Sequence, residues 1–197
     1  YVQDLQELIE QLELKHKKLI LVGHSMGGMV AVEFAASFPK LINSLILISS
    51  GIIFPNEARD DEGNFLKKLS GSDFSATLED LVNQLLPYKD NRACCEMVKK
   101  TFFAASQEQW VVHFKSMMAW DKKAPERVSH CKCPILYIED NGGCYSDIDR
   151  FKAICPQLIV GKTVCSGHFP TIEVPDQVNA MITGFFNLKI LNKSMLR

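Results

Sequence analysis

The residues with the clearest chemistry lie in the stretch GHSMG at positions 23–27, which follows an apolar run at positions 19–22. A Gly-x-Ser-x-Gly stretch between a strand and a helix forms a tight turn that holds the serine on strained backbone. Gly23 and Gly27 lack the side-chain bulk that such a turn excludes on either side of Ser25. The turn would place the Ser25 hydroxyl at the positive end of a helix and direct the Met26 amide toward a developing oxyanion. We interpret Ser25 as the nucleophile of an acyl-transfer reaction.

A phosphate-binding glycine loop is the main alternative for this stretch. Neither Gly-x-Gly-x-x-Gly nor Gly-Lys-Ser/Thr follows any apolar run in the chain, so the sequence does not support that alternative. Within the turn, we assign Met26 and His24 to oxyanion or substrate binding.

A serine nucleophile needs a general base, and the best candidate is His168. It follows the apolar run at positions 158–160 and precedes an amphipathic helix that is predicted to begin at Pro175. A histidine on a loop between a strand and a helix can reach over the carboxyl edge of a sheet. His16, His113 and His130 lie in a charged turn, on a predicted helix face and before a Cys-Lys-Cys sequence, where structural or solvated roles are expected.

The order of these motifs resembles that of the α/β-hydrolase superfamily. The chain has the GHSMG turn, an apolar strand ending in LILISS at 45–50, a variable helical segment, a PILYI strand at 134–138 and a late Gly-His pair. The resemblance implies an α/β fold in which a mostly parallel sheet is flanked by helices. It also implies Ser25 as nucleophile, His168 as general base and an acid after the penultimate strand that orients the histidine.

The acid is where the sequence departs from the family pattern. The position counted forward from Pro134 is Gly143, which carries no carboxylate. Counting backward from Pro156 brings Asp140 into register, and we assign Asp140 as the acid. Asp147 remains open as an alternative, although its position before a predicted helix also suits a capping role. Glu139, or no acid at all, also remains open.

The resemblance suggests three regions. Residues 1–54 would carry the nucleophile turn, residues 126–197 would carry the acid and the histidine, and residues 55–125 would form a helical insert that acts as a lid. Within the insert, apolar periodicity predicts helices at 78–85, 91–105 and around 110–118, with charged loops at 59–63 and 70–75. Large apolar side chains on these helices predict an apolar substrate pocket.

Family members have several strands before the first helix that this chain shows, at residues 2–12. Without them, the strand at 19–22 would be an apolar edge with unpaired backbone groups. We therefore expect the chain to be the carboxyl-terminal part of a longer protein, or to pair with a missing N-terminal segment.

Composition narrows the function classes further. The chain has 197 residues, 47% of them hydrophobic, and a formal net charge of −1 with both signs interspersed. This balance favours neither nucleic acid nor an anionic membrane as a partner, and no apolar run is long enough to span a membrane. A single globular unit is the simplest expectation.

The chain has seven cysteines, a high count, and an odd number of cysteines does not fit a simple disulfide framework. They favour free thiols in the cytoplasm, and the spacing of the HCKC stretch at 130–133 is wrong for a zinc site, so we expect no metal and no cofactor. The cysteines are Cys94, Cys95, Cys131, Cys133, Cys144, Cys155 and Cys165.

Together these features predict a serine hydrolase that cleaves an ester or thioester of a small, mainly apolar substrate. Two alternatives stay open: a receptor-like homologue that binds a small ligand without catalysis, and an interaction fragment whose sheet edge pairs with another polypeptide.

Overall fold

A computed structural model describes the backbone of residues 1–88, 92–143 and 145–195, and their side chains except those of 57–62 and 189–195. The strands of the described residues are β1 (Leu19–His24), β2 (Ile42–Ile48), β3 (Ile135–Glu139) and β4 (Leu158–Lys162). The helices are α1 (Val2–Gln11), α2 (Met26–Ser37), α3 (Asn56–Leu69), α4 (Phe74–Leu85), α5 (Arg92–Ala104), α6 (Gln107–Asp121), α7 (Ala124–His130), α8 (Ile148–Ile154), α9 (Pro170–Glu173) and α10 (Pro175–Met195).

The four strands form one parallel sheet in the order β1-β2-β3-β4. Each strand is followed by at least one helix, as parallel pairing requires, because the chain must cross back before the next strand begins. All four carboxyl ends therefore meet at the same edge of the sheet. The segments that follow β1, β3 and β4 carry the three predicted catalytic residues to that edge.

The sheet is buried on both faces at its centre, which explains why β2 is almost continuously apolar. Leu45 and Leu47 contribute to a large core with α1, α2, α7 and α8 on one face. Ile46 and Ile48 pack on the other face against α10, which contributes Val178 to a second core. The expected α/β fold with a mostly parallel, helix-flanked sheet is confirmed.

Most of the predicted helices are present, and one predicted loop is wrong. The helices expected at 2–12, 78–85, 91–105, around 110–118 and from Pro175 correspond to α1, α4, α5, α6 and α10, although residue 91 lies outside the described residues. The expected charged loop at 59–63 is part of α3. Charged residues do not end a helix, and a single glycine costs only about 1 kcal/mol in a helix interior.

The short helix α7 was not predicted, and it crosses the expected boundary between residues 125 and 126. Its seven residues are too few to show a clear apolar period. Helices α3 to α6 form the helical insert between β2 and α7.

β1 forms one edge of the described sheet, as expected for the strand at 19–22. On the sheet face that α10 covers beneath β2 and β3, Ile20 is 41% exposed and Val22 is 58% exposed. Pairing of this edge with another segment stays a prediction. Among the helices whose residues are described, none has the length and apolar character needed to cross a lipid bilayer.

Candidate active site

The turn between β1 and α2 holds Ser25 in a rare backbone conformation, with φ 52° and ψ −125°. Such a conformation is strained for a residue with a side chain and persists only when the surroundings fix it. Gly23 makes the turn possible, because a Cβ atom there would lie 2.4 Å from the Gly27 carbonyl oxygen. The Ser25 amide donates to the Ile48 carbonyl oxygen at 3.0 Å, which joins the turn to the end of β2.

The second glycine that the turn needs is Gly28 rather than Gly27. A Cβ atom at Gly28 would lie 2.2 Å from Ser50 Oγ, whereas a Cβ atom at Gly27 would meet nothing within 4 Å. The expectation for Gly23 is therefore confirmed and the steric expectation for Gly27 is wrong. The helix α2 approaches the end of β2 through Gly28, and Gly27 faces open space.

The structure brings His168 to Ser25 across 143 positions of sequence. His168 lies between β4 and α9 and is 5% exposed. Its Nε2 atom is 2.8 Å from Ser25 Oγ, which is hydrogen-bonding distance for a base and the hydroxyl that it deprotonates.

Asp140 is the carboxylate that faces the other nitrogen of the imidazole. It follows β3, is fully buried, and accepts hydrogen bonds at Oδ1 from the amides of Gly142 (2.7 Å) and Gly143 (3.2 Å). Its Oδ2 atom lies 3.9 Å from His168 Nδ1. Both atoms are buried, and neither has a hydrogen-bond partner among the described residues. A shift of about 1 Å would join them in a hydrogen bond.

The two alternative acids lie elsewhere. Asp147 caps α8, where its side chain accepts from the Arg150 amide at 3.0 Å. Glu139, the last residue of β3, pairs with Lys162 on β4 at 3.5 Å. Each of these carboxylates is thus engaged away from His168, and Asp140 is the acid that the geometry favours.

His24 and Met26 flank the nucleophile in different ways. His24 Nε2 lies 2.6 Å from the His168 carbonyl oxygen, and the two imidazole centroids are 4.9 Å apart. Burial, helped by the neighbouring His168, lowers the pKa of His24 to about 4. Its neutral ring must carry its proton on Nε2, because a carbonyl oxygen only accepts hydrogen bonds. Met26 begins α2, so its amide is one of those that intrahelical bonds leave unpaired.

A cavity of about 430 Å³ opens above Ser25 and His168. Its far wall is formed by the helical insert and is mostly aromatic and aliphatic. The insert side chains that line it include Phe65, Leu81, Phe102, Trp110, Phe114 and Met117. The pocket is therefore apolar, as the residues of the predicted insert helices had indicated.

Tyr145 and His113 also line the cavity and were not predicted as site residues. Tyr145 lies edge-on to His168 with ring centroids 4.7 Å apart, and burial raises the pKa of its hydroxyl. His113 on α6 also lines the cavity, and its Nε2 atom lies 2.6 Å from the Tyr1 hydroxyl. Neither residue belongs to a motif in the sequence, so only the folded chain shows that they border the site.

Comparison with known proteins identifies the family and the fold of the chain. The sequence model of the α/β-hydrolase fold matches residues 1–174, so the chain belongs to the α/β-hydrolase fold family. Two similar solved structures are a thermophilic esterase from Thermogutta terrifontis (TM-score 0.76, 21% identity) and the enol-lactonase from Burkholderia xenovorans LB400 (TM-score 0.75, 16% identity). Each match covers 94% of this chain, and 70% and 71% of the other chain respectively.

Curated relatives carry hydrolase names. A putative esterase/lipase from Haemophilus influenzae is 26% identical over 94% of this chain and 65% of its own length. A 2-hydroxy-6-oxononadienedioate/2-hydroxy-6-oxononatrienedioate hydrolase from Paraburkholderia phymatum is 31% identical over 84% of this chain and 61% of its own. A serine hydrolase-like protein from Danio rerio is 34% identical over 36% of this chain and 21% of its own. The chain thus spans less than two thirds of the length of these relatives.

Proposed function

We propose that this protein is a serine hydrolase that cleaves an ester or thioester of a small, uncharged, mainly apolar substrate through an acyl-Ser25 intermediate. The observation that carries the proposal is the 2.8 Å contact between Ser25 Oγ and His168 Nε2 at the floor of an apolar cavity. Membership of the α/β-hydrolase family and the hydrolase names of its relatives support it.

In the proposed mechanism, His168 Nε2 accepts the proton of Ser25 Oγ as that oxygen attacks the substrate carbonyl carbon. The Met26 amide, at the start of α2, donates to the oxyanion of the tetrahedral intermediate. The intermediate collapses, His168 returns the proton to the departing alcohol or thiol, and acyl-Ser25 remains. Water activated by His168 then attacks the acyl carbon and releases the acid. Asp140 stabilises the imidazolium that forms in both half-reactions.

The cavity supports an uncharged substrate. Among the lining residues that the structure describes there is no lysine, arginine, aspartate or glutamate. A buried carboxylate without a cationic partner is strongly unfavourable in such surroundings. The dicarboxylate substrate in the name of the Paraburkholderia relative is therefore a poor candidate here, and the helical insert is proposed to act as the lid that shapes an apolar acyl site.

The proposal is tested with a fluorophosphonate probe and 4-nitrophenyl esters of increasing acyl length. We expect covalent labelling at Ser25, loss of labelling in Ser25→Ala, and loss of turnover in His168→Ala. His16→Ala, which changes an exposed histidine before β1 that does not line the cavity, serves as the matched control and keeps wild-type activity. Labelling that persists in Ser25→Ala, or unimpaired turnover in His168→Ala, would contradict the mechanism.

The 3.9 Å separation of Asp140 from His168 favours one alternative, a receptor-like homologue that binds an apolar ligand without turning it over. It predicts no turnover of any ester and binding of an apolar fluorescent ligand that survives Ser25→Ala. Measurable hydrolysis that depends on Ser25 removes this alternative.

We also propose that the protein works in the cytoplasm. Among the described residues, Cys95, Cys131, Cys155 and Cys165 carry free thiols, as a reducing compartment favours, whereas Cys144 lies outside the described residues.

A further inference from the structure

The segment that carries His168 has no regular secondary structure of its own. It runs from the end of β4 to the start of α9 and includes Cys165 in the left-handed region, at φ 56°. A general base must be held within a fraction of an ångström of its working position, and loops rarely provide this alone. The hydrogen bonds of this segment therefore decide whether His168 stays beside Ser25.

Both main-chain polar groups of His168 are engaged by other parts of the site. Its amide donates to the Leu85 carbonyl oxygen, at the end of α4 in the helical insert, at 2.9 Å. Its carbonyl oxygen accepts from His24 Nε2, in the nucleophile turn, at 2.6 Å. The main chain of the general base is thus hydrogen-bonded to the nucleophile turn on one side and to the helical insert on the other.

Glu173 holds the residues on either side of His168. Its Oε2 atom accepts from the amide of Gly167 at 3.0 Å and from the amide of Phe169 at 3.1 Å. Hydrogen bonds from amides to a carboxylate are roughly twice as strong as neutral ones. Three consecutive residues are therefore fixed by two side chains, His24 and Glu173.

This support matters because the acid does not hold the ring in place. With Asp140 Oδ2 at 3.9 Å from His168 Nδ1, no hydrogen bond fixes the imidazole from that side. The direction of the ring is set by its main chain, by its contact with Ser25 and by ring contacts with His24, Tyr145 and Phe169.

We propose that His24 and Glu173 are positioning residues that hold the His168 main chain, and thereby its imidazole, in line with Ser25. The inference rests on the proposed function and assigns His24 a task other than oxyanion or substrate binding. His24 acts through the hydrogen bond that it donates to the His168 carbonyl oxygen. Its ring also borders the cavity, but the proposed role does not depend on that. Glu173 acts through two accepted hydrogen bonds and does not line the cavity.

The test for His24 compares two side chains of similar length. In His24→Gln the side-chain amide can still donate to the His168 carbonyl, and in His24→Met no donor remains. Because a misplacement of 1 Å can cost about 100-fold, we expect His24→Met to lower kcat roughly 10- to 100-fold with KM changed less than about twofold. His24→Gln should restore most of the loss, and His16→Met is the matched control at an exposed histidine.

The test for Glu173 likewise compares a variant that keeps the hydrogen-bonding group with one that removes it. Glu173→Gln retains an oxygen that accepts from both amides, whereas Glu173→Leu retains none. We expect a lower kcat with an unchanged KM in Glu173→Leu and partial recovery in Glu173→Gln. Thermal unfolding checks that each variant folds, and the Glu173 pair carries the test if His24→Met does not fold.

Two outcomes would overturn the inference. One is that His24→Met and Glu173→Leu both fold and both keep the wild-type kcat. The other is that His24→Gln and His24→Met lower kcat equally. Failure of the proposed function looks different, because wild type would then neither label nor turn over any ester. In that case the NMR signals of the His168 imidazole decide, and unchanged signals in His24→Met and Glu173→Leu reject the positioning role.

Discussion

At the residue scale, the most informative pair is Asp140 and His168. Two buried polar atoms, Oδ2 and Nδ1, face each other at 3.9 Å without another partner among the described residues. A buried polar group that lacks a hydrogen bond costs about 1–3 kcal/mol, so a shift that joins these atoms is favourable. Developing positive charge on His168 during attack by Ser25 strengthens the attraction further. The acid is thus placed to act when the imidazolium forms.

A comparison of Asp140→Asn with Asp147→Asn tests this assignment. Asp140→Asn removes the charge that faces His168, and the loss of the orienting acid from such a triad can lower turnover by about 10⁴. Asp147→Asn keeps a side chain that caps α8 equally well, so we expect turnover within about twofold of wild type and little change in stability. Steady-state kinetics and thermal unfolding of both variants provide the measurement.

Two results would contradict the assignment of Asp140 as the acid. If Asp147→Asn lowers turnover and Asp140→Asn does not, the acid has been misassigned. If neither variant lowers turnover, Ser25 and His168 work without an orienting carboxylate.

The sequence predicted Ser25 and His168 because each lies in a short motif with fixed neighbours. It left the acid open because the segment after β3 varies in length, and a forward count from Pro134 reached Gly143. The fold distinguishes the two, because Asp140 faces the His168 imidazole whereas Asp147 has the capping role that its position before a predicted helix had suggested. Glu173 was missed because its partners are backbone amides. Every residue except proline has such an amide, so no pattern of side chains in the sequence indicates the contact.

At the scale of elements, the site depends on how closely α2 approaches the end of β2. Gly28 allows this approach, because a Cβ atom on it would lie 2.2 Å from Ser50 Oγ and 2.6 Å from Ser50 Cβ. Gly27 is the next residue toward the helix start and has open space. The two adjacent glycines therefore have different tasks, and the Gly-x-Ser-x-Gly motif includes Gly27 but not Gly28.

Alanine substitution distinguishes the two glycines. Gly28→Ala overpacks the contact between α2 and β2, so we expect the free energy of unfolding to fall by about 1–3 kcal/mol. Gly27→Ala meets no atom and replaces glycine in a helix, so we expect unchanged or slightly raised stability, by up to about 1 kcal/mol. Denaturant unfolding of the two variants gives the comparison, and equal destabilisation would show that the Gly28 contact does not limit the packing.

Periodicity predicted the elements well where one face is buried and poorly elsewhere. The helices α1, α4 and α10 show apolar residues at helical spacing, and all three were predicted. The helix α3 was interpreted as partly a loop because its charged stretch shows no apolar period at 59–63. The short helix α7 contains Pro125 in its first turn and is stabilised by tertiary packing of Val128, which the local sequence does not indicate.

At the scale of the whole molecule, the two cores cover the sheet unevenly. One face is packed by four helices across all strands, whereas on the other face α10 covers β2 and β3. Parallel sheets are normally buried on both faces, so the exposure of Ile20 and Val22 on β1 is unusual. β1 also has no strand partner along its outer edge among the residues that the structure describes. This strand is where we expect another polypeptide segment to pair.

Charge on β1 should therefore change the association of this 197-residue chain. We expect the chain to self-associate through β1 as its concentration rises, because an apolar edge strand is a template for strand pairing. Ile20→Lys combined with Val22→Lys places charges on that strand and should shift the chain toward monomer, measured by light scattering coupled to size-exclusion chromatography. Leu188→Lys is the matched control, since it removes a 48% exposed apolar side chain from a helix and leaves the edge unchanged. A wild-type chain that stays monomeric at 22.2 kDa over the whole concentration range, or a control that acts as strongly as the β1 variant, would show that this edge does not drive association.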